Sequence, residues 1–201
     1  MTSEEDGGIL RRFNWPGLLA GVLMLLLPFT GTWWNVTGGT ELFSLSLSPF
    51  HYEFMVMGET MTVPILNYVV LALQILVFFG GLMLIAGSIM QSEKGRKLLK
   101  YGSGKVIWPT VMFFIVLVLG AFLINNYMTG FMPIDGAEEI QEEPDVDINV
   151  PYLVGTSTTR VQLENMEASF PVTKSFQSPV LLGILAMSLA LVSRRFSDLI
   201  S

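Results

Sequence analysis

The residues best equipped for chemistry form one run, His51-Tyr-Glu-Phe-Met55-Val-Met57-Gly-Glu-Thr-Met61. Imidazole and thioether are soft ligands suited to Cu(I). Period-two alternation would set His51, Glu53, Met55 and Met57 on one strand face. Same-face neighbours on a strand lie about 7 Å apart, given a rise of about 3.3 Å per residue. That spacing is wide for one small ion. The competing reading is that Met55, Met57 and Met61 fill irregular apolar gaps or rest on a membrane surface.

The rest of the side-chain inventory narrows the chemistry further. His51 is the only histidine and there is no cysteine. A bis-His haem, a thiolate metal site, an iron–sulfur cluster, a disulfide and a Cys nucleophile are therefore excluded within this sequence. Gly-x-Ser-x-Gly, Walker, His-Glu-x-x-His and dinucleotide fingerprints are missing. The acidic stretch from Asp135 to Asp147 lacks the ligand spacing of an EF-hand and reads as a solvated charge run. No catalytic residue and no cofactor are expected.

Two polar side chains stand inside an apolar segment. Asn67 and Gln74 are seven residues apart and share a helix face, where they could hydrogen-bond to a neighbouring helix. With Asn125 and Asn126 they are also the candidate polar lining of a pore formed by oligomers.

The elements that carry these residues are legible from charge. Nine of the eleven basic residues fall in three clusters: Arg11 and Arg12; Lys94, Arg96, Lys97, Lys100 and Lys105; Arg194 and Arg195. The runs 13–40, 60–92, 106–134 and 175–193 carry no charge. Each can hold a membrane-spanning helix, which needs about 20 apolar residues. The chain is 51% hydrophobic and 14% charged, against about 25% charged for a soluble domain. Lys and Arg accumulate on the cytoplasmic side. The expected fold is thus a membrane α-helical protein, a four-helix bundle with both termini inside, in the plasma membrane.

The expected segments are a cytoplasmic tail over 1–12, a first span over 13–34, an outer loop over 35–62 and a second span over 63–90. A basic cytoplasmic loop over 91–105 leads to a third span over 106–126, with Pro109 in its first turn. An outer loop over 127–175, a fourth span over 176–193 and a tail over 194–201 complete the chain. Trp15, Trp33, Trp34 and Trp108 mark interfacial anchors. The pairs Gly17–Gly21 and Ala186–Ala190 permit close helix approach.

Alternation at Phe43, Leu45 and Leu47, then at Phe50, Tyr52, Phe54 and Val56, predicts a hairpin broken at Pro49. Further short strands are expected around Ile148–Val150, Tyr152–Val154, Val161–Leu163 and Phe170–Val172, after an exposed acidic excursion. Neither loop has enough strands to stand alone. Together they should build one outer β-domain of about five strands.

Four spans, a strand-rich first outer loop and Trp33–Trp34 before the hairpin give a plan similar to that of claudin-like proteins. The resemblance implies the arrangement of spans and outer strands. The paired cysteines of the claudin first loop are missing here, and adhesion is not carried over with the architecture.

The net charge of −6 is unevenly placed, since twelve of seventeen acids fall in the two outer loops. That disfavours nucleic acid as a partner. The five basic residues of 91–105 act as a topology signal or touch anionic lipid. The expected function is a non-catalytic accessory or structural subunit. Its outer β-domain would contact other membrane-protein subunits or further copies of the chain. An oligomeric transporter or channel, and copper handling through His51 and the methionines, are the alternatives.

Overall fold

The computed structural model describes residues 14–39, 42–90, 92–127, 145–147, 153–163 and 166–199. The first helix, α1 (Trp15–Leu26), starts at an Asn14 cap whose side chain accepts a hydrogen bond from the Gly17 N–H at 3.1 Å. Pro16 sits in its first turn, where a missing N–H costs nothing. A 3-10 turn, Leu27–Phe29, follows and contains Pro28. Helix and turn together are about 24 Å long, at 1.5 and 2.0 Å per residue. That falls short of a hydrocarbon core of about 30 Å.

The expected first span, 13–34, is therefore corrected. The chain leaves the helix near Pro28, turns at Gly31 with φ +83°, and enters a strand at Trp34. Pairing of Trp34 with both Leu47 and Phe176 holds it there.

Three further helices are long and apolar enough to cross a membrane: α2 (Pro64–Ile89), α3 (Glu93–Tyr127) and α4 (Pro179–Leu199). The segment 91–105, expected as a loop, is helical from Glu93 onward. Its Glu, Lys, Arg and Leu residues favour helix. Ser92 Oγ accepts from the Gly95 N–H, and Glu93 pairs with Lys97 one turn on, at 2.9 Å. Pro109 consequently lies inside α3 and not in its first turn. The fourth helix starts at Pro179, and Phe176 is the last residue of a strand. Arg194 and Arg195 lie within α4.

The helices pack in cyclic order, α1 on α2, α2 on α3, α3 on α4 and α4 on α1. Glycines let two of these contacts close. A Cβ on Gly21 of α1 would stand 2.8 Å from the Gly81 carbonyl oxygen of α2. The Gly17–Gly21 pair, with the fully buried Ala186 and Ala190 of α4, is used inside the chain.

Among the described residues, seven antiparallel strands form one sheet: β1 (Trp34–Gly38), β2 (Phe43–Ser48), β3 (His51–Val56), β4 (Glu59–Met61), β5 (Asp145–Asp147), β6 (Gly155–Leu163) and β7 (Met166–Phe176). Their order is β4-β3-β2-β1-β7-β6-β5. The expected hairpin is β2–β3, and both outer segments contribute to one sheet as expected. The expected count of about five is corrected to seven.

The added strands have local reasons. β1 is central, held by β2 on one side and β7 on the other, and begins inside the run read as the first span. β4 has only three residues and depends on a tight turn at Met57–Gly58, both at positive φ. β5 falls at the end of the stretch read as an acidic excursion. Residues 135–144 of that stretch, and the strand positions expected at 148–152, lie outside the described residues.

Register separates two faces. Val36, Leu45, Phe54, Val172 and Lys174 share one face with Trp34 and Phe176. Asn35, Ser44, Ser46, His51, Glu53, Thr173 and Ser175 share the other. Val36, Val172 and Lys174 are buried, the lysine to 5% exposure.

Candidate functional site

Sheet and helices meet at Trp33, just before β1. Its indole is fully buried and packs edge-to-face on Phe50, at 5.9 Å between centroids, and on Phe113 of α3, at 5.4 Å. Gly183 of α4 makes room for it, since a Cβ there would fall within 2.2 Å of the ring. Trp33 is therefore a core residue, which corrects its reading as an interfacial anchor. Trp34 is half-buried in β1, where its indole N–H donates to the Leu153 carbonyl at 2.7 Å. Trp15 and Trp108 are both exposed on helices.

Gln74 belongs to the same junction. Its amide donates to the Phe50 carbonyl at 2.8 Å, tying α2 to the β2–β3 turn. Asn67 is exposed, two turns nearer the start of α2. Asn125 and Asn126 lie in the last turns of α3, and their side chains are outside the described residues.

The methionine run is divided by the sheet. His51 and Met55 lie opposite Ser48 and Ser44 on one face, while Met61 lies opposite Phe54 on the other. Met57 sits in the turn at 80% exposure. Among the described residues, no three His, Asp or Glu side chains gather closely enough to hold a metal. The structure thus brings His51 and Met55 to one face and sets Met57 and Met61 apart from it.

A larger feature comes from the α2–α3 pair. Away from the sheet the two helices are pressed together. A Cβ on Gly87 would lie 2.8 Å from the Gly95 carbonyl oxygen, one on Gly102 2.8 Å from that of Gly80, and one on Gly80 2.5 Å from Lys105 Cβ. These contacts run in antiparallel register. Continued toward the sheet, that register brings Leu73 opposite Met112 and Phe113, and Val70 opposite Val116. No glycine faces another there, and bulky side chains hold the helices apart. Pro109, at the start of this stretch, cannot donate to the Lys105 carbonyl, the usual cause of a bend.

The result is a lateral groove of about 710 Å3. Its walls are apolar: Leu66, Val69, Val70, Leu73 and Leu76 on α2, and Met112, Phe113, Val116 and Leu117 on α3. At the sheet end it is closed by Leu47, Pro49 and Tyr52. The Tyr52 hydroxyl fixes the entry to α2, donating to the Val63 carbonyl at 2.9 Å and accepting from the Val63 N–H at 3.0 Å.

At the opposite end the lining becomes cationic, with Lys100, Lys105 and Arg194. Among the described residues, no carboxylate lines the groove. Arg194 reaches across from α4, donating through Nε to Ser103 Oγ and through Nη2 to the Lys100 carbonyl at 3.0 Å. Tyr101 and Trp108 flank this end at 65% and 66% exposure.

Sequence reasoning treated these basic residues as a topology signal and missed their part in a cavity. A signal was available. Tyr101, Lys105, Trp108 and Met112 recur at the three- and four-residue steps of one helix face, provided 91–105 is read as helix.

No protein-family model, curated protein or solved structure matches the chain.

Proposed function

We propose that the chain is a non-catalytic, multi-pass membrane protein with both termini inside, acting as an accessory subunit whose outer sheet contacts a partner protein. Three apolar helices support the membrane setting, and the segregation of basic and acidic residues supports the orientation. In that orientation the short α1, whose Asn14 amide donates to the Ser193 carbonyl near the far end of α4, serves as a fourth crossing. The observation that carries the contact role is the β3–β4 edge. β4 ends the sheet and all three of its residues are exposed. Beside it Met57, Met61, Leu42 and Val63 are exposed large apolar side chains, and the Met57 N–H bonds to the Leu42 carbonyl. An open edge with an apolar tip is suited to strand addition or to burial under a partner.

The test is photocross-linking from position 57 in the native membrane. Capture of a discrete protein, lost on Met61→Ser with Leu42→Ser, is the expected outcome. A chain that stays monomeric and yields no cross-linked product overturns the reading. Orientation is checked separately. The chain has no cysteine, so single replacements Lys97→Cys and Glu53→Cys report directly on side. An impermeant maleimide should label only the second in intact cells.

A further inference from the structure

We infer that the groove between α2 and α3 receives a membrane-spanning helix of a partner protein, one that carries an Asp or Glu carboxylate in the inner half of its span to pair with Lys105. The inference rests on the accessory role and orientation proposed above and adds to them the chemistry of the partner. Four observations lead to it.

The first is the depth of a charge. Lys105 lines the groove level with Gly80, since a Cβ on Gly80 would stand 2.5 Å from Lys105 Cβ. Gly80 is sixteen residues along α2 from Pro64, about 24 Å at 1.5 Å per residue. With the sheet outside the lipid, Pro64 stands at or above the outer boundary of a core of about 30 Å. Lys105 is therefore at least about 6 Å inside the inner boundary, and any tilt of α2 places it deeper. The facing helix offers it nothing, because none of the 26 residues of α2 is charged. An ionisable side chain at that depth is costly unless it meets an opposite charge.

The second is the state of that charge. Among the described residues Lys105 has no ion-pair partner, whereas Lys97, nearer the inner end, pairs with Glu93. The other cations of the groove are placed differently. Arg194 is engaged with Ser103 and the Lys100 carbonyl. Lys100 is exposed and lies about 8 Å nearer the inner surface, five rises of 1.5 Å along α3.

The third is where an anion can come from. Neither α1 nor α2 contains a carboxylate, α3 contains only Glu93, and α4 only Asp198. Glu93 is about 18 Å from Lys105 along α3, and Asp198 lies beyond Arg195 at the inner end. A second copy in the same orientation thus brings no acid to this level and adds a second Lys105, which repels the first. Lipid phosphates lie in the head-group layer, outside the core. A carboxylate within a partner's span is at the required depth.

The fourth is shape. Between Lys100 and Leu117 the α3 wall rises about 26 Å, most of the thickness of the core, as a spanning helix needs. At its outer end the slot joins the surface already proposed for contact. Leu66 and Val69 of the groove wall follow Met61 and Val63 of the open edge, and every residue of 64–69 is exposed. A helix seated in the slot meets Leu47, Pro49 and Tyr52 at that end and leaves past β4.

The experiment reconstitutes the full chain in phosphatidylcholine vesicles with a photoreactive benzoylphenylalanine in place of Val116. The probe is a synthetic leucine–alanine transmembrane helix with a single Glu six residues from one end, or with Leu there instead. The Glu probe should be captured roughly tenfold more than the Leu probe, as expected of one polar pair between helices in lipid. Lys105→Gln should remove that preference. Lys97→Gln, outside the groove, should leave it intact. Lys105→Glu should exchange it for a preference for a probe with Lys at the same position, a result that misfolding cannot produce. Val70→Trp should lower capture of every probe by filling the slot.

Equal capture of the Glu and Leu probes overturns the inference. So does a Glu preference that survives Lys105→Gln, or one that Lys97→Gln abolishes equally. Labelling of lipid with no capture of either probe would assign the slot to acyl chains and also overturns it. The probe has no outer segment, and cross-linking at position 57 does not involve the groove, so the two proposals fail separately.

Discussion

The two ends of the α2–α3 pair reach opposite results. Toward the basic end, Gly80, Gly87, Gly95 and Gly102 bring one helix against the other, and a single added carbon would collide with a carbonyl or, at Gly80, with the Lys105 side chain. Toward the sheet, Val70, Leu73, Phe113 and Val116 occupy the facing positions, and the helices part around about 710 Å3. Side-chain volume at the interface differs between the halves, and volume decides whether two helices meet or leave a slot.

The largest test of this contrast lies where the open end meets the sheet. Trp33→Ala removes the indole that joins Phe50, Phe113 and Gly183, and should cost about 3–5 kcal/mol. The expected readout is a large fall in melting temperature in detergent, with loss of the sheet's protection from hydrogen exchange. If Trp33→Ala melts like the parent, the junction is not what holds the sheet on the helices.

Next in size is a matched pair of small changes. Gly102→Ala at the closed end should destabilise by about 1–3 kcal/mol, because its methyl must push α2 away. Val69→Ala at the open end should shift stability by no more than about 0.5 kcal/mol, as expected of an exposed site. Equal effects on thermal melting would abolish the distinction between the two halves.

Gln74→Leu comes third. It leaves the Phe50 carbonyl without its donor and should cost about 1 kcal/mol, with α2 otherwise helical. An unchanged melting temperature would return Gln74 to the role of a free polar group in the span.

The sheet repeats the contrast on a smaller scale and supplies the last test. Val36 and Val172 are buried as apolar residues should be, and Lys174 is buried with them. Burial disfavours the ammonium and holds its pKa below the ordinary 10.5. The unfolded chain keeps its proton to higher pH than the folded one, so stability rises with pH in the window just below 10.5. Lys174→Met should therefore raise the melting temperature at neutral pH, by an amount that shrinks as pH approaches 10.5. A gain independent of pH would assign the effect to packing alone.

Much of this was readable from residue order. The apolar runs around Leu73, Val116 and Leu185 exceed what a soluble helix needs. The alternation from Phe43 to Val56 marks β2 and β3, because a strand shows every second residue to one face. The basic clusters carry the proposed orientation, because charge is costly to move across lipid. β1 and β4 were hidden, one because it begins inside the run read as a span and the other by its length.

Three further features follow from atoms distant in sequence. Trp33 reads as an interfacial aromatic until Phe50, Phe113 and Gly183 close around it from other elements. The helicity of 93–105 is a local property, yet its consequence, Lys100 and Lys105 beside Arg194, requires α4 to pack on α3. The groove is a difference between two surfaces. Neither α2 nor α3 contains it, because an opening depends on which side chains face one another. Composition and period therefore decide what each segment of this chain becomes. Facing volumes decide where those segments fail to touch, and the candidate site lies in that gap.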